Sequence, residues 1–165
     1  MPGYNPAMTR VCIGIGTNVG DRHAHLALAR RALAALPDTQ LLGFSGSYET
    51  APVGPIEQGD FLNAAALIAT ALSPRDLLAH LRDIERQAGR PPEVRRVKWG
   101  PRPLDLDILL YGDVVMDDDK LAIPHPRMHE RWFVLKPLAD VAPDAVHPRL
   151  GATVAQLLDK LEKSS

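Results

Sequence analysis

The chain has 165 residues, 45% of them hydrophobic and 24% charged, with a formal net charge of -1. That length fits one domain around one apolar core, and the near-neutral balance argues against a nucleic-acid binder, which needs a broad basic face. The lone cysteine, Cys12, excludes an internal disulfide and points to a reducing, cytoplasmic setting.

In chain order, residues 1–9 (MPGYNPAMT) lack both the basic start and the apolar run of a signal peptide, and are expected to form a flexible tail before a single domain over 10–165. Arg10 to Ile15, rich in Val and Ile, predicts a strand that runs into the glycines of GIGTNVGD. Asp21 is placed to cap a helix from Arg22 to Leu36, with Leu26, Ala29, Leu33 and Leu36 at helical spacing. Gln40 to Tyr48 reads as a second strand. A loop punctuated by Pro52, Gly54, Pro55 and Gly59 leads to a third, apolar strand from Phe61 to Thr70. Ser73 followed by Pro74 starts a second helix whose stripe is Leu77, Leu78, Leu81 and Ile84, with Gly89 as its stop. Leu104 to Tyr111 is the fourth strand. Beyond it come short elements and a last helix announced by a capping box, Thr153 and Gln156. No apolar stretch is long enough to span a bilayer.

Strand, helix, strand, strand, helix, strand is the order of a split, ferredoxin-like unit. The expected fold class is α+β: a single ferredoxin-like domain, an antiparallel sheet with two helices packed on one face.

The segment with the most chemistry in it is Lys98-Trp99-Gly100-Pro101-Arg102-Pro103-Leu104-Asp105-Leu106-Asp107-Ile108-Leu109. Alternate residues of a strand share a face and lie roughly 6.6 Å apart. Asp105 and Asp107 therefore project together while Leu104, Leu106 and Ile108 pack behind them. Two carboxylates aimed at one spot repel and need a cation or a proton to coexist. Magnesium suits them, since it takes one or two carboxylates and fills its octahedron with water and phosphate oxygens. Arg82, Arg86, Arg90, Arg95, Arg96, Lys98 and Arg102, opposed by Asp83, Glu85 and Glu93, place a cationic arm beside this acidic pair. Base beside acid in one cleft is what a metal-bound triphosphate requires. His125, between two prolines and near Arg127 and Arg131, is a further candidate for phosphate or ribose. Gly14, Gly16 and Gly20 fit neither the P-loop nor the dinucleotide fingerprint, and are read as turn and packing glycines. Arg90 to Lys98 has little apolar side chain to bury, and is expected to close over a bound triphosphate.

KWGPRPLDLDIL resembles the signature of the 6-hydroxymethyl-7,8-dihydropterin pyrophosphokinases. IGTNVGD resembles that family's first strand and loop, SYETAPVGP and DFLNAA its pterin-side segments, and IPHPRMHERWFVLKPLADVAP its nucleotide-side and C-terminal segments. The resemblance runs from about Arg10 to Leu158. It implies a monomeric, single-domain enzyme of folate biosynthesis that transfers pyrophosphate from ATP to the pterin hydroxymethyl group and releases AMP. It implies that Asp105 and Asp107 hold a pair of magnesium ions and that Arg90 and Arg102 contact the transferring phosphates, these four being the catalytic set. Glu85, Trp99, Arg102, Ile108, His125 and Arg131 would line the ATP site. Thr50, Pro52, Val53, Asn63, Phe61 and Phe133 would surround the pterin, with the two phenylalanines sandwiching its ring. The implied partners are the small-molecule substrates, with no nucleic acid and no membrane. Phe61 stands where some members have tyrosine, and Lys120, Ala122 and Pro126 replace an arginine, a threonine and a tyrosine of some members.

Overall fold

Along strand β1 (Thr9–Thr17), Val11, Ile13 and Ile15 alternate with Cys12, Gly14 and Gly16, and this alternation divides the molecule into two layers of helix around one sheet. The computed structural model describes residues 7–52, 54, 58–89 and 103–164. Val53, Arg90, Trp99, Arg102 and the expected closing segment Arg90 to Lys98 lie outside the described residues, as does most of the expected tail.

Helix α1 (Arg22–Ala34) follows β1, and strands β2 (Thr39–Phe44), β3 (Tyr48–Thr50) and β4 (Phe61–Thr70) come next. Helix α2 (Pro74–Gln87) leads to strand β5 (Asp105–Tyr111). The main sheet runs β2-β4-β1-β5, every pair antiparallel, with β3 continuing the pairing along β4. This is the ferredoxin-like arrangement that the element order predicts. The caps are as read: Asp21 accepts the Ala24 N–H at 3.0 Å, and Ser73 accepts that of Asp76 at 3.1 Å.

One expectation changes in detail. Gln40 to Tyr48 is not one strand. Its Leu41–Gly43 stretch is bulged, and Ser45 is pinned to Ala65, its N–H donating to the carbonyl at 2.9 Å while its Oγ accepts the Ala65 N–H at 2.8 Å. The chain bends there and resumes as β3, which pairs Tyr48 with Asn63 and Thr50 with Phe61. The two helices of the split unit share one face, as expected. Leu26, Ala29 and Leu33 of α1 and Leu77, Leu81 and Ile84 of α2 cover the face bearing Val11, Ile13 and Ile15. The opposite face, bearing Cys12, Ala65, Leu67 and Leu109, is covered by helix α3 (Trp132–Val141) and helix α4 (Val154–Ser164). Two hairpins, β6 (Met116–Asp117) with β7 (Ala122–Ile123) and β8 (Val146–His147) with β9 (Ala152–Thr153), connect these parts. The capping box of α4 forms as read, with Thr153 N–H to Gln156 at 2.8 Å and Gln156 N–H to Thr153 at 3.1 Å.

One irregularity in β5 shapes both layers. Ile13 pairs with Ile108 but Cys12 pairs with Leu110, so Leu109 is an extra residue on β5. Leu109 and Leu110 consequently both join the α3/α4 side, and Tyr111 returns to the α1/α2 side, where its hydroxyl donates to the Leu72 carbonyl. Cys12 is buried beneath α3 and α4; burial, with Asp144 adding to it, pushes its thiol up to about 12, so it is an inert core group. Among the described residues no helix is long and apolar enough to cross a membrane.

Candidate active site

Directly opposed residues of an antiparallel pair point to the same face. Gly16 lies opposite Asn63 on β4 and opposite Asp105 on β5. Gly14 lies opposite Ala65 and Asp107 in the same way. The α3/α4 face therefore carries, toward the end of β1, an amide on one side, two half-buried carboxylates on the other, and a floor of two glycines and an alanine between them. With strands about 4.8 Å apart, Asn63 and Asp105 are separated by about 10 Å. Phe61, two residues before Asn63, shares this face.

The carboxylate strand is held from outside. β5 is an edge of the sheet, and Leu106 turns its backbone away from β1. Glu85 of α2, 1% exposed, accepts the Leu106 N–H at 2.8 Å through Oε2. The same oxygen accepts from Arg82 Nη1 at 2.7 Å, and Arg82 donates to the Leu106 carbonyl at 3.1 Å. The ion pair thus supplies the donor and acceptor that a neighbouring strand would have supplied. Arg82, read from sequence as part of a cationic arm, is engaged in this brace.

His125 follows β7, and its N–H donates to the Leu109 carbonyl at 2.9 Å, which brings the ring back over β5. Burial pushes its imidazole below the ordinary value, Arg131 pushes it further the same way, and Asp105 opposes them. His125 Nδ1 accepts the Arg127 N–H at 3.4 Å, so the neutral ring keeps its proton on Nε2 and acts there as a donor. Arg131, at the start of α3, lays its guanidinium 5.7 Å from the centre of the Phe133 ring. His125, Arg131, Phe133 and the carboxylates are therefore drawn to one neighbourhood.

On the amide side, both Asn63 donors are used by the protein. Nδ2 gives one hydrogen bond to the Tyr48 carbonyl at 3.1 Å and one to Thr50 Oγ1 at 2.7 Å. Its Oδ1 is turned toward Gly16, as an acceptor. Thr50 and half-buried Pro52 continue this edge. Ile108 and Glu85, by contrast, are buried on the α1/α2 side, at 3% and 1% exposure, so their side chains stand behind the strand rather than with the carboxylates.

Several supports escape a reading from sequence alone. Asn18, buried just beyond β1, donates to Gln58 Oε1 at 2.6 Å and to the Gly59 carbonyl at 3.2 Å. Arg22 bonds Glu49 at 2.7 Å and the Asp60 carbonyl at 2.9 Å. Together they tie the loop after β1 to the loop before β4. Tyr48 meets Trp132 edge-on at 5.9 Å and bonds Asp140, and Trp132 Nε1 donates to Glu162 at 3.0 Å, which fixes β3 to α3 and α4. The signals that existed were a buried-type asparagine at a strand end and a tryptophan at a helix start. Neither is specific.

As to metal, among the described residues no group of three or more His, Cys, Asp or Glu side chains gathers to hold an ion. A strand-borne pair of hard oxygen donors is nevertheless the donor set magnesium accepts when phosphate and water complete its shell.

The family model for 7,8-dihydro-6-hydroxymethylpterin-pyrophosphokinase matches residues 12–143. A Methylorubrum extorquens protein named 2-amino-4-hydroxy-6-hydroxymethyldihydropteridine pyrophosphokinase is 45% identical over 157 residues, covering 95% of this chain and 96% of that one. The Pseudomonas aeruginosa protein of that name is 44% identical over 135 residues, 82% of each chain. Among solved structures, Plasmodium falciparum HPPK-DHPS with pteroate superposes with a TM-score of 0.71 at 14% identity, over 93% of this chain and 44% of that one, which supports the fold alone. With the family model spanning most of the sequence and near full-length relatives sharing almost half of it, this chain belongs to the 7,8-dihydro-6-hydroxymethylpterin-pyrophosphokinase family.

Proposed function

We propose that this chain transfers pyrophosphate from ATP to the hydroxymethyl group of a 6-hydroxymethyl-7,8-dihydropterin, acting as a cytoplasmic, single-domain monomer of folate biosynthesis. The observation that carries the reading is the rung Asn63–Gly16–Asp105, which sets a ring-binding amide and a metal-type carboxylate on one open face about 10 Å apart. In the reaction the hydroxymethyl oxygen attacks the β-phosphorus, the bond from that phosphorus to the α–β bridging oxygen breaks, and AMP departs.

Asp105 and Asp107 would hold the magnesium pair, which would supply charge neutralisation to the triphosphate. Asn63 Oδ1 accepts a ring N–H of the pterin, its orientation locked by Tyr48 and Thr50. Phe61 and Phe133 offer their faces to the ring, alongside Thr50, Pro52 and Val53. His125 donates from Nε2 to phosphate or ribose, and Arg131, flattened on Phe133, presents its fork to the same ligand. Arg90, Arg102 and Trp99 complete the phosphate and nucleotide contacts in this reading. Glu85 and Ile108 contribute from behind, by positioning β5. Positioning and charge neutralisation carry such a transfer, and no covalent intermediate is needed.

Incubation with ATP, magnesium and the reduced pterin, followed by identification of the nucleotide formed, tests the reading. AMP and a pterin pyrophosphate in equal amounts are expected. ADP or free pyrophosphate as the first product would overturn it.

A further inference from the structure

Nothing among the described residues requires Gly16 to be a glycine. Its backbone is ordinary strand, outside the left-handed region. Among the described residues, the atoms nearest a Cβ built on it are Phe61 Cδ1 at 3.6 Å, Asn63 Oδ1 at 3.9 Å and Phe61 Cε1 at 4.0 Å, all ordinary van der Waals separations. Neighbouring positions differ. At Gly14 a Cβ would press on Leu109 at 3.3 Å, and at Gly112 it would lie 2.9 Å from Thr9, with positive φ besides. Those two glycines answer to the fold. At Gly16 the described residues leave room for a methyl group, and a glycine in a strand costs conformational entropy that alanine would save.

Among the described residues, the three atoms nearest the missing Cβ belong to Phe61 and Asn63 of the proposed pterin site. The register puts that Cβ on the same face as Asn63 and Asp105, midway between them. A molecule that bonds Asn63 Oδ1 with one edge and reaches the carboxylate side with the other must cross directly above Gly16.

We propose that Gly16 is a specificity-determining residue: its bare backbone is the floor on which a flat bicyclic pterin and its short hydroxymethyl arm lie, and a side chain there excludes them. The inference rests on the pterin reading of the site and adds to it a steric limit on what the site admits. One further methyl group in a closely fitted pocket changes discrimination by about 10–200-fold. It also separates binding from folding, because the described residues leave space for a side chain that the bound ligand would take.

The test is Gly16→Ala, with Gly16→Val as a larger step. Three quantities are read: thermal melting of the free protein, affinity for a non-hydrolysable ATP analogue with magnesium, and affinity for the reduced pterin in the presence of that analogue. For Gly16→Ala we expect an unchanged or higher melting temperature, analogue affinity within about twofold of the parent, and pterin affinity lower by about tenfold or more. Gly16→Val should lose still more pterin affinity. Parent-like pterin affinity in both variants overturns the proposal. So does a clear fall in the melting temperature of Gly16→Ala, because the refusal of a Cβ would then belong to the fold. Failure of the parent protein itself to bind the pterin is a different result, and removes the pyrophosphokinase reading of the site rather than the steric argument alone.

Discussion

Glu85 accepts the N–H of Leu106, the one residue between Asp105 and Asp107, at 2.8 Å. A carboxylate on a helix thus fixes the backbone from which both cleft carboxylates project, without entering the cleft. Replacing it leaves the Leu106 N–H without this acceptor and Arg82 without its charge partner. Glu85→Ala should lower unfolding free energy by about 2–3 kcal/mol, discounted because Arg82 is partly exposed. Glu85→Gln keeps an acceptor for Leu106 and should recover most of that loss. Urea denaturation of both variants checks this; an alanine variant within about 0.5 kcal/mol of the parent would show the brace to be inert.

Asp105→Ala or Asp107→Ala should remove nearly all turnover while leaving melting behaviour close to that of the parent. Each substitution deletes a magnesium ligand, yet each also relieves repulsion between neighbouring carboxylates. Turnover near the parent rate at ordinary magnesium concentration would take the metal role away from this pair.

Asn63→Ala should weaken pterin binding by about tenfold or more and leave ATP-analogue binding unchanged. Asn63→Asp is the sharper variant, since a carboxylate accepts but cannot donate to the Tyr48 carbonyl. It should bind pterin as poorly as the alanine variant even though an acceptor remains. Calorimetry with the analogue present distinguishes these outcomes; parent-like affinity in Asn63→Ala removes this residue from the pterin contacts.

Acid sensitivity should trace in part to His147. Burial, His129 and Arg149 hold its imidazole below the ordinary value. Its Nδ1 accepts the N–H groups of Arg149 at 3.3 Å and Leu150 at 3.2 Å, so the folded protein needs the ring neutral. The unfolded chain takes up the proton near pH 6.5, before the folded one does. His147 therefore favours the folded state above that pH, and the contribution is lost as pH falls from about 6.5 toward the depressed folded value. His147→Asn keeps an acceptor for the two N–H groups and removes the titration. Its melting temperature should fall less between pH 7.5 and pH 5 than the parent's, and an identical fall in both would assign the acid sensitivity elsewhere.

The sheet order was legible because long alternating or apolar runs such as Thr9–Thr17 and Phe61–Thr70 leave little choice of element, and caps at Asp21 and Ser73 mark where helices begin. The Asp105/Asp107 pair was legible for the same reason, since a period of two settles the face they share. What sequence did not yield was whatever depends on contact across the chain. Arg82 reads from sequence as part of the cationic arm because Leu106, whose carbonyl it bonds, lies on another element. The break between β2 and β3 follows from Ser45 meeting Ala65, which no local propensity encodes. Gly16 reads from sequence as a packing glycine. Only the register, which sets it between Asn63 and Asp105, reveals that its described neighbours, Phe61 and Asn63, leave space for a Cβ.

The extra residue at Leu109 gives β5 two phases. Before it, odd-numbered positions face the cleft; after it, even-numbered ones face α3 and α4. Pairing this strand at full length without the bulge would set Leu109 opposite Cys12 and Leu110 opposite Val11, exchanging the faces of Leu110 and Tyr111 and moving Tyr111 away from Leu72, while Asp105 and Asp107 kept theirs. The bulge therefore insulates the carboxylate half of the strand from its core-packing half. Natural or engineered variation that repacks α3 and α4 against Leu110 can proceed without rotating the metal ligands, provided the insertion itself is preserved.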